Sequence, residues 1–69
     1  MMQLHYDDAH AFVNKTRGAF WDGWDIVLWK PNSNGMTSKT GMFRNGKWGT
    51  ARRYPVLNDG SWAVPGVRH

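Results

Sequence analysis

The sequence of 69 residues contains no cysteine. This absence excludes a disulfide framework, a thiol nucleophile and a thiolate zinc or iron–sulfur site. Glutamate is also absent, so all five acidic residues are Asp, against nine Lys and Arg and a formal net charge of +4. The longest unbroken apolar run, residues 26–29, is too short for a transmembrane helix or a signal-peptide core. We therefore expect an intact cytoplasmic protein that is not associated with a membrane.

Aromatic residues are abundant: five Trp, three Phe and two Tyr make up 14% of the chain. A chain this short gains only about 3–5 kcal/mol from a single hydrophobic core. Each buried aromatic side chain removes roughly 150–250 Å² from water. We therefore expect a single domain over residues 1–69 with an aromatic core, and burial between two copies leaves a homodimer open as an alternative.

The first part of the chain predicts a short strand and one helix. Residues 2–6 alternate between apolar and polar side chains, which is typical of a strand. Apolar residues then recur at helical spacing over residues 8–17, with Asp7 or Asp8 as the cap and Gly18 at the end.

The rest of the chain predicts an antiparallel sheet. Residues 24–29 form the first strand of this prediction, with Trp24, Ile26 and Leu28 on one side. Residues 36–44 and 47–57 predict two further strands, joined by Asn45-Gly46, a strong two-residue hairpin signal. A turn at residues 58–60 leads to a last strand over 61–64. The predicted fold class is α+β, with one N-terminal helix packed on a small, strongly twisted antiparallel meander that can roll into an open barrel.

Basic residues are concentrated in this meander, since seven of the nine Lys and Arg but only one Asp lie in residues 26–69. A two-residue turn at Asn45-Gly46 places three pairs opposite each other: Arg44 with Lys47, Phe43 with Trp48, and Lys39 with Arg52. Like charges that face each other destabilise a ladder unless both side chains fan into water or an anion lies between them. On this register Phe43, Trp48 and Tyr54 share a face with Lys39 and Arg52.

This basic and aromatic surface predicts a small, non-catalytic nucleic-acid-binding protein. Cations contact phosphates, and aromatic rings stack on bases. The predicted phosphate contacts are Lys39, Arg44, Lys47, Arg52 and Arg53, and the predicted stacking residues are Trp48 and Tyr54. As an alternative, the aromatic residues form the core face of the sheet and the stems of Lys39 and Arg52 cover its rim. A net charge of +4 is modest for a nucleic-acid-binding protein.

A second function class, a protein-interaction module, rests on the tryptophans. Trp and Arg are the residues most enriched in interaction hot spots. If Trp24, Ile26 and Leu28 face the core, then Val27 and Trp29 are either exposed or packed against a partner, and this hypothesis assigns the protein interface to them. Sugar binding on flat Trp platforms is a further use of the same residues and ranks below the other two.

The sequence carries only weak signals for a catalytic or metal-binding site. Metal-ligand residue types are grouped near the N-terminus, as His5, Asp7, Asp8 and His10, but the predicted strand and helix place the two histidines on different elements. Three residues apart, Asp22 and Asp25 would point to opposite sides of an extended strand, and Asp22-Gly23 indicates a turn or a bulge at the entry to the strand. No nucleophile has a plausible base, and no phosphate-binding loop precedes a helix. We therefore expect no enzymatic activity, no cofactor and no metal site.

The sequence has two resemblances to known groups of proteins. Residues 45–49 and 59–62, Asn-Gly-Lys-Trp-Gly and Asp-Gly-Ser-Trp, resemble the Gly-Lys-Trp hairpins of cell-wall and choline-binding repeat modules. Those modules repeat the unit many times and are secreted, unlike this chain, so no binding residue is carried over. The whole chain resembles the short, Trp-rich, cysteine-free proteins encoded by bacteriophages. This resemblance implies an accessory protein of the host cytoplasm that binds host or phage macromolecules, and for the protein-interaction alternative a host-protein inhibitor or an oligomeric structural protein.

Overall fold

The computed structural model describes residues 1–32 and 41–65. Its elements, in chain order, are β1 (Met2–Leu4), α1 (Tyr6–Lys15), β2 (Ala19–Asp22), β3 (Asp25–Pro31), β4 (Met42–Arg44), β5 (Lys47–Tyr54) and β6 (Trp62–Val64). Four strands form an antiparallel sheet in the order β2-β3-β5-β4, which curls into a half-barrel, and β1 pairs with β6 in a second, two-stranded sheet. The predicted α+β class, with one helix and a strongly curved antiparallel sheet, is confirmed.

Helix α1 begins two residues earlier than predicted. His5 is at the N-cap position and makes no side-chain capping bond, while Asp7 and Asp8 lie within the first turn. The prediction that one of these two aspartates is the cap is therefore wrong. Acidic side chains in the first turn still interact favourably with the positive end of the helix dipole. Within residues 1–32 and 41–65, no helix is long and apolar enough to cross a membrane.

The main core lies where α1, the four-stranded sheet and the two-stranded sheet meet. Its buried members come from all three parts: Ala9, Phe12, Val13, Ile26, Trp62 and Val64. Trp62 is 2% exposed, and its indole Nε1 donates a hydrogen bond of 2.7 Å to the carbonyl oxygen of Trp24. Trp21 packs edge-on against Trp62, with ring centroids 5.2 Å apart. The aromatic core expected from the composition is therefore present, although only some of the aromatic residues belong to it.

The sequence did not reveal strand β2, which pairs with β3 across a tight turn. Asp22 is paired with Asp25, so the turn consists of Gly23 and Trp24, and Gly23 has a φ of 65°. A glycine at the first position of a two-residue loop is the preference of type II′ hairpins. The turn expected at Asp22-Gly23 therefore lies one residue later, at Gly23-Trp24. The expectation that Asp22 and Asp25 point to opposite sides is wrong, because they are a cross-strand pair and both contact Arg53. Trp24 was expected to face the core, but it lies in the turn and is 68% exposed.

Strand β3 is buried on both of its faces. We call the concave face of the half-barrel, with Val27 and Trp29, the inner face, and the face with Ile26 and Leu28 that packs towards α1 the outer face. Val27 is 1% exposed and Trp29 is 8% exposed, because the curled sheet covers its own inner face. Trp29 Nε1 also donates a hydrogen bond of 2.9 Å to the carbonyl oxygen of Met42. The prediction that Val27 and Trp29 are exposed is wrong, and their burial leaves them little surface for contact with a partner protein.

The hairpin between β4 and β5 has the register predicted from Asn45-Gly46. Phe43 is paired with Trp48 and Arg44 with Lys47. Asn45 and Gly46 have φ angles of 53° and 79°, the left-handed conformations that a type I′ turn requires at both positions. The predicted pairing of Lys39 with Arg52 lies outside the described residues. Strand β5 ends at Tyr54 rather than at residue 57, because Pro55 has no N–H to continue the ladder.

The last strand does not close the meander as expected. Strand β6 pairs with β1 instead, with Met2 opposite Val64 and Leu4 opposite Trp62. The turn before β6 is held by Asp59, whose Oδ1 accepts a hydrogen bond of 3.0 Å from the Ser61 N–H. Gln3 of β1 donates to Asp59 Oδ2 at 2.7 Å and thereby ties this turn to the other strand of the small sheet.

Candidate nucleic-acid interface

The side chains of β5 alternate between the two faces of the curled sheet. Arg52 is opposite Leu28 and Tyr54 is opposite Ile26, so both lie on the outer face. Arg53 is opposite Val27 and therefore lies on the inner face. Neighbouring residues in a strand point to opposite sides, so the two arginines face different surroundings.

A groove of about 620 Å³ runs along the outer face of β3 and β5 and is bounded on one side by the residues that follow α1. We call it the tyrosine groove. Its cationic lining residues are Arg17, Lys30 and Arg52. Leu28 and Tyr54 supply apolar surface, and Thr50 is among its polar groups.

A second groove, of about 420 Å³, adjoins the first. We call it the hairpin groove, because Arg44, Asn45 and Lys47 of the β4–β5 hairpin line it. Arg17 and Lys30 line both grooves. The two grooves therefore form one continuous basic region.

We call the five cations of this region the basic end: Arg17, Lys30, Arg44, Lys47 and Arg52. Within residues 1–32 and 41–65, no acidic side chain lines either groove. A mixed surface would place carboxylates among these cations, so this separation favours an anionic ligand. Arg44, Lys47 and Arg52 are binding residues of the sequence prediction, and the structure places Arg52 in the tyrosine groove and Arg44 and Lys47 in the hairpin groove.

Arg17 and Lys30 were missed from the sequence. Lys30 is two residues after Leu28 in β3, so the period of two places it on the outer face, close to Arg52. A correct assignment of faces in β3 would have found it. Arg17 follows the helix and reaches the grooves only through the packing of α1 on the sheet, for which the local sequence carries no signal.

Arg53 is held by two carboxylates. Its Nη1 is 2.9 Å from Asp25 Oδ2, and its Nη2 is 2.7 Å from Asp22 Oδ2. The hydrogen bonds to Asp25 and Asp22 raise the pKa of Arg53 above its ordinary value. Because these carboxylates offset its charge and it points away from the tyrosine groove, we leave Arg53 out of the proposed interface.

Aromatic side chains continue the outer face beyond the tyrosine groove. Phe43 is 55% exposed, and its ring meets that of the half-buried Trp48 edge-on, with centroids 5.2 Å apart. Along β5 the outer face carries Trp48, Thr50, Arg52 and Tyr54 in turn. Tyr54 also packs against the core cluster, so the core alternative holds in part for Tyr54 and does not hold for Phe43. Lys39, also predicted for this surface, lies outside the described residues.

The other candidate sites are not assembled. In the two described stretches, no group of three or more His, Cys, Asp or Glu side chains is placed to hold a metal ion. His10 lies between the rings of Tyr6 and Trp21, with centroid distances of 4.5 Å and 4.9 Å. Comparisons with known proteins give no match, either to a protein-family model, to a curated protein or to a solved structure.

Proposed function

We propose that the protein binds nucleic acid without catalysis, through the basic end and the aromatic residues beside it. The observation that carries this proposal is the convergence of five cations from separate segments on two adjoining grooves without an acidic lining residue among those described. Arg17 follows α1, Lys30 belongs to β3, Arg44 to β4, and Lys47 and Arg52 to β5.

The acidic residues are placed elsewhere. Asp22 and Asp25 hold Arg53, Asp59 holds the turn before β6, and Asp7 and Asp8 lie in the first turn of α1. The weak net charge of +4 is therefore a poor guide to the local potential, because the negative charges lie away from the grooves. A surface of this kind suits a polyanion.

The physical expectation is a strong dependence on salt. Each phosphate that a cation neutralises releases condensed counterions, so log K falls with log salt by about 0.7 per phosphate for a single strand and about 0.9 for a duplex. If all five cations contact phosphate, we expect a slope of about −3 to −4 for single strands. Phe43 and Trp48 add stacking surfaces that depend less on salt.

The test is the anisotropy of labelled single-stranded DNA, single-stranded RNA and duplex DNA, titrated at roughly 50 and 200 mM salt. We expect micromolar or tighter binding at the lower concentration and a steep loss at the higher one. The proposal fails if none of the three probes binds at low salt.

A protein-interaction module is the second candidate, now centred on Trp24 instead of Val27 and Trp29. Trp24 is 68% exposed at the tip of the β2–β3 turn, and its carbonyl oxygen is fixed by Trp62. An exposed tryptophan on a rigid turn is a typical interaction hot spot. Under this candidate, Trp24→Ala abolishes partner capture from a cell extract at high salt while Phe43→Ala does not. Equal capture by both variants and the unaltered protein removes Trp24 from consideration.

A further inference from the structure

We propose that the tyrosine groove holds one unpaired nucleotide, with its base against Leu28 and Tyr54 and its phosphate among Arg17, Lys30 and Arg52. The protein then prefers single-stranded nucleic acid to duplex. This inference rests on the proposed function and specifies which part of the ligand enters the groove.

The floor of the groove changes from apolar to polar along its length. Three cross-strand pairs form the outer face here: Ile26 with Tyr54, Leu28 with Arg52, and Lys30 with Thr50. Ile26 is fully buried, so Tyr54 alone of the first pair lines the groove. Successive pairs are two residues apart, so the rows are about 6.6 Å from each other and the three rows cover about 13 Å. Apolar surface thus lies at one end and cationic and hydroxyl groups at the other. A nucleotide has the same division between base and phosphate.

The size of the groove fits a single nucleotide. Its volume of about 620 Å³ is within the range of roughly 300–1,000 Å³ that small-molecule sites have in proteins. A base that is paired and stacked in a duplex cannot enter such a site without leaving the stack. A single strand does not have to break pairing, so it fills the groove at lower cost.

Uncharged polar groups also line the groove, and Thr50 and Asn32 belong to its phosphate end, within reach of a sugar or phosphate oxygen. Thr16, Asn32 and Thr50 line the groove, and Thr50 Oγ1 donates a hydrogen bond of 3.3 Å to Asn32 Oδ1. Few but well-placed polar groups around an apolar floor are typical of sites that orient a ligand.

The adjoining hairpin groove gives the strand a path onward. Because Arg17 and Lys30 line both grooves, a phosphate between them leads directly to Arg44 and Lys47. In this arrangement one base packs against the side chains of the tyrosine groove. The phosphates of the neighbouring nucleotides bind to the cations of the hairpin groove.

The test compares three labelled probes of equal length on the unaltered protein: an oligothymidylate, an abasic strand with the same number of phosphates, and a duplex. Stacking on an aromatic side chain is worth about 1–3 kcal/mol per base, so we expect the abasic strand to bind about 5- to 150-fold more weakly. Its salt slope is expected to equal that of the oligothymidylate, since the phosphates are the same. The duplex is expected to bind more weakly than the oligothymidylate at each salt concentration.

A variant pair assigns the effect to the groove. Tyr54→Leu removes the ring and is expected to lower oligothymidylate affinity about fivefold or more, while Tyr54→Phe retains the ring and the affinity. Tyr6→Leu is the matched control, since Tyr6 is 58% exposed at the start of α1, away from the groove. If Tyr54→Leu does not fold, the abasic comparison is repeated on the Phe43→Leu/Trp48→Leu double variant, in which the tyrosine groove is the remaining stacking surface. Loss of the difference between the two strands in that variant would assign the effect to Phe43 and Trp48 and overturn the nucleotide site.

The outcomes separate this inference from the proposed function. Equal affinity for the oligothymidylate and the abasic strand overturns the nucleotide site and leaves binding by charge intact. Preference for the duplex also overturns it. Failure of all three probes to bind at low salt overturns both.

Discussion

The guanidinium carbon of Arg44 lies 3.8 Å from the centroid of the Phe20 ring, although the two residues belong to strands at opposite edges of the sheet. Strands β2 and β4 are separated by β3 and β5, so this contact exists only because the sheet curls on itself. The contact also positions Arg44 beside the hairpin groove. Curvature of the sheet and placement of a binding cation are therefore linked.

This contact predicts a measurable coupling between the two side chains. In a double-mutant cycle of Phe20→Leu and Arg44→Met, we expect a coupling energy of about 0.5–1 kcal/mol in the free energy of unfolding, measured by urea denaturation. Phe43→Leu is the control, because Phe43 adjoins Arg44 in β4 but lies on the outer face, and no coupling with Arg44 is expected. Equal coupling for Phe20 and Phe43 contradicts the described contact.

Two glycines of the β4–β5 region are expected to differ sharply in their tolerance of a methyl group. A Cβ at Gly49 would lie 2.3 Å from the carbonyl oxygen of Lys30 and 2.6 Å from two indole atoms of Trp29. We expect Gly49→Ala to destabilise the protein by about 3 kcal/mol or more, since strand β3 and a buried indole must both move.

Gly46→Ala is the matched control in the same hairpin. A Cβ at Gly46 meets nothing within 4 Å, so only its φ of 79° opposes the substitution, at a cost of about 1–2 kcal/mol. Thermal unfolding of both variants checks this order. A smaller loss for Gly49→Ala than for Gly46→Ala contradicts the packing of Trp29 against β5.

The turn at Asp59 predicts a specific dependence of stability on pH. Hydrogen bonds from the Ser61 side chain and backbone, and the nearby His5, lower the pKa of Asp59 below its ordinary value of 3.8. A carboxyl whose pKa is lower in the folded state stabilises the fold above the unfolded-state pKa and loses this effect as the pH falls through the folded-state pKa. We therefore expect Asp59→Asn to destabilise the protein at neutral pH, with a difference from the unaltered protein that shrinks in acid.

Urea unfolding at neutral pH and below pH 4 tests this expectation. The two midpoints converge as the acidity increases if the ionised carboxylate is the stabilising form. A difference that is constant with pH would show that Asp59 acts only through the shape of its turn.

The features predicted most accurately from the sequence are those determined by neighbouring residues in the chain. Asn45 and Gly46 both need left-handed φ angles, which few residue pairs adopt, so the hairpin and its register follow from two neighbouring residues. In residues 26–29 the sequence does not indicate which face of the strand is buried. Ile26 and Leu28 on one face are as apolar as Val27 and Trp29 on the other. Only the curl of the sheet buries the second pair, and alternation within one strand does not contain that information.

The candidate site was predicted in part for the same reason. Arg44, Lys47 and Arg52 belong to one hairpin, whose register places them. Arg17 joins them only through the packing of α1, and the pairing of Arg53 with Asp22 and Asp25 depends on the β3–β5 register. The period of two nevertheless separates Arg52 from Arg53, so the sequence could have assigned these two neighbours to different surfaces.

That separation gives the most direct test of the nucleic-acid interface. Arg52→Gln and Arg53→Gln each remove one positive charge from adjacent positions, so any effect of net charge alone is the same in both. Affinity for an oligothymidylate is measured for each variant over a series of salt concentrations, after circular dichroism has shown that both fold. We predict that Arg52→Gln weakens binding and makes the slope of log K against log salt shallower by about 0.7, while Arg53→Gln leaves both close to those of the unaltered protein. Equal losses in the two variants, or a larger loss for Arg53→Gln, would contradict binding through the basic end, to which Arg52 belongs and Arg53 does not.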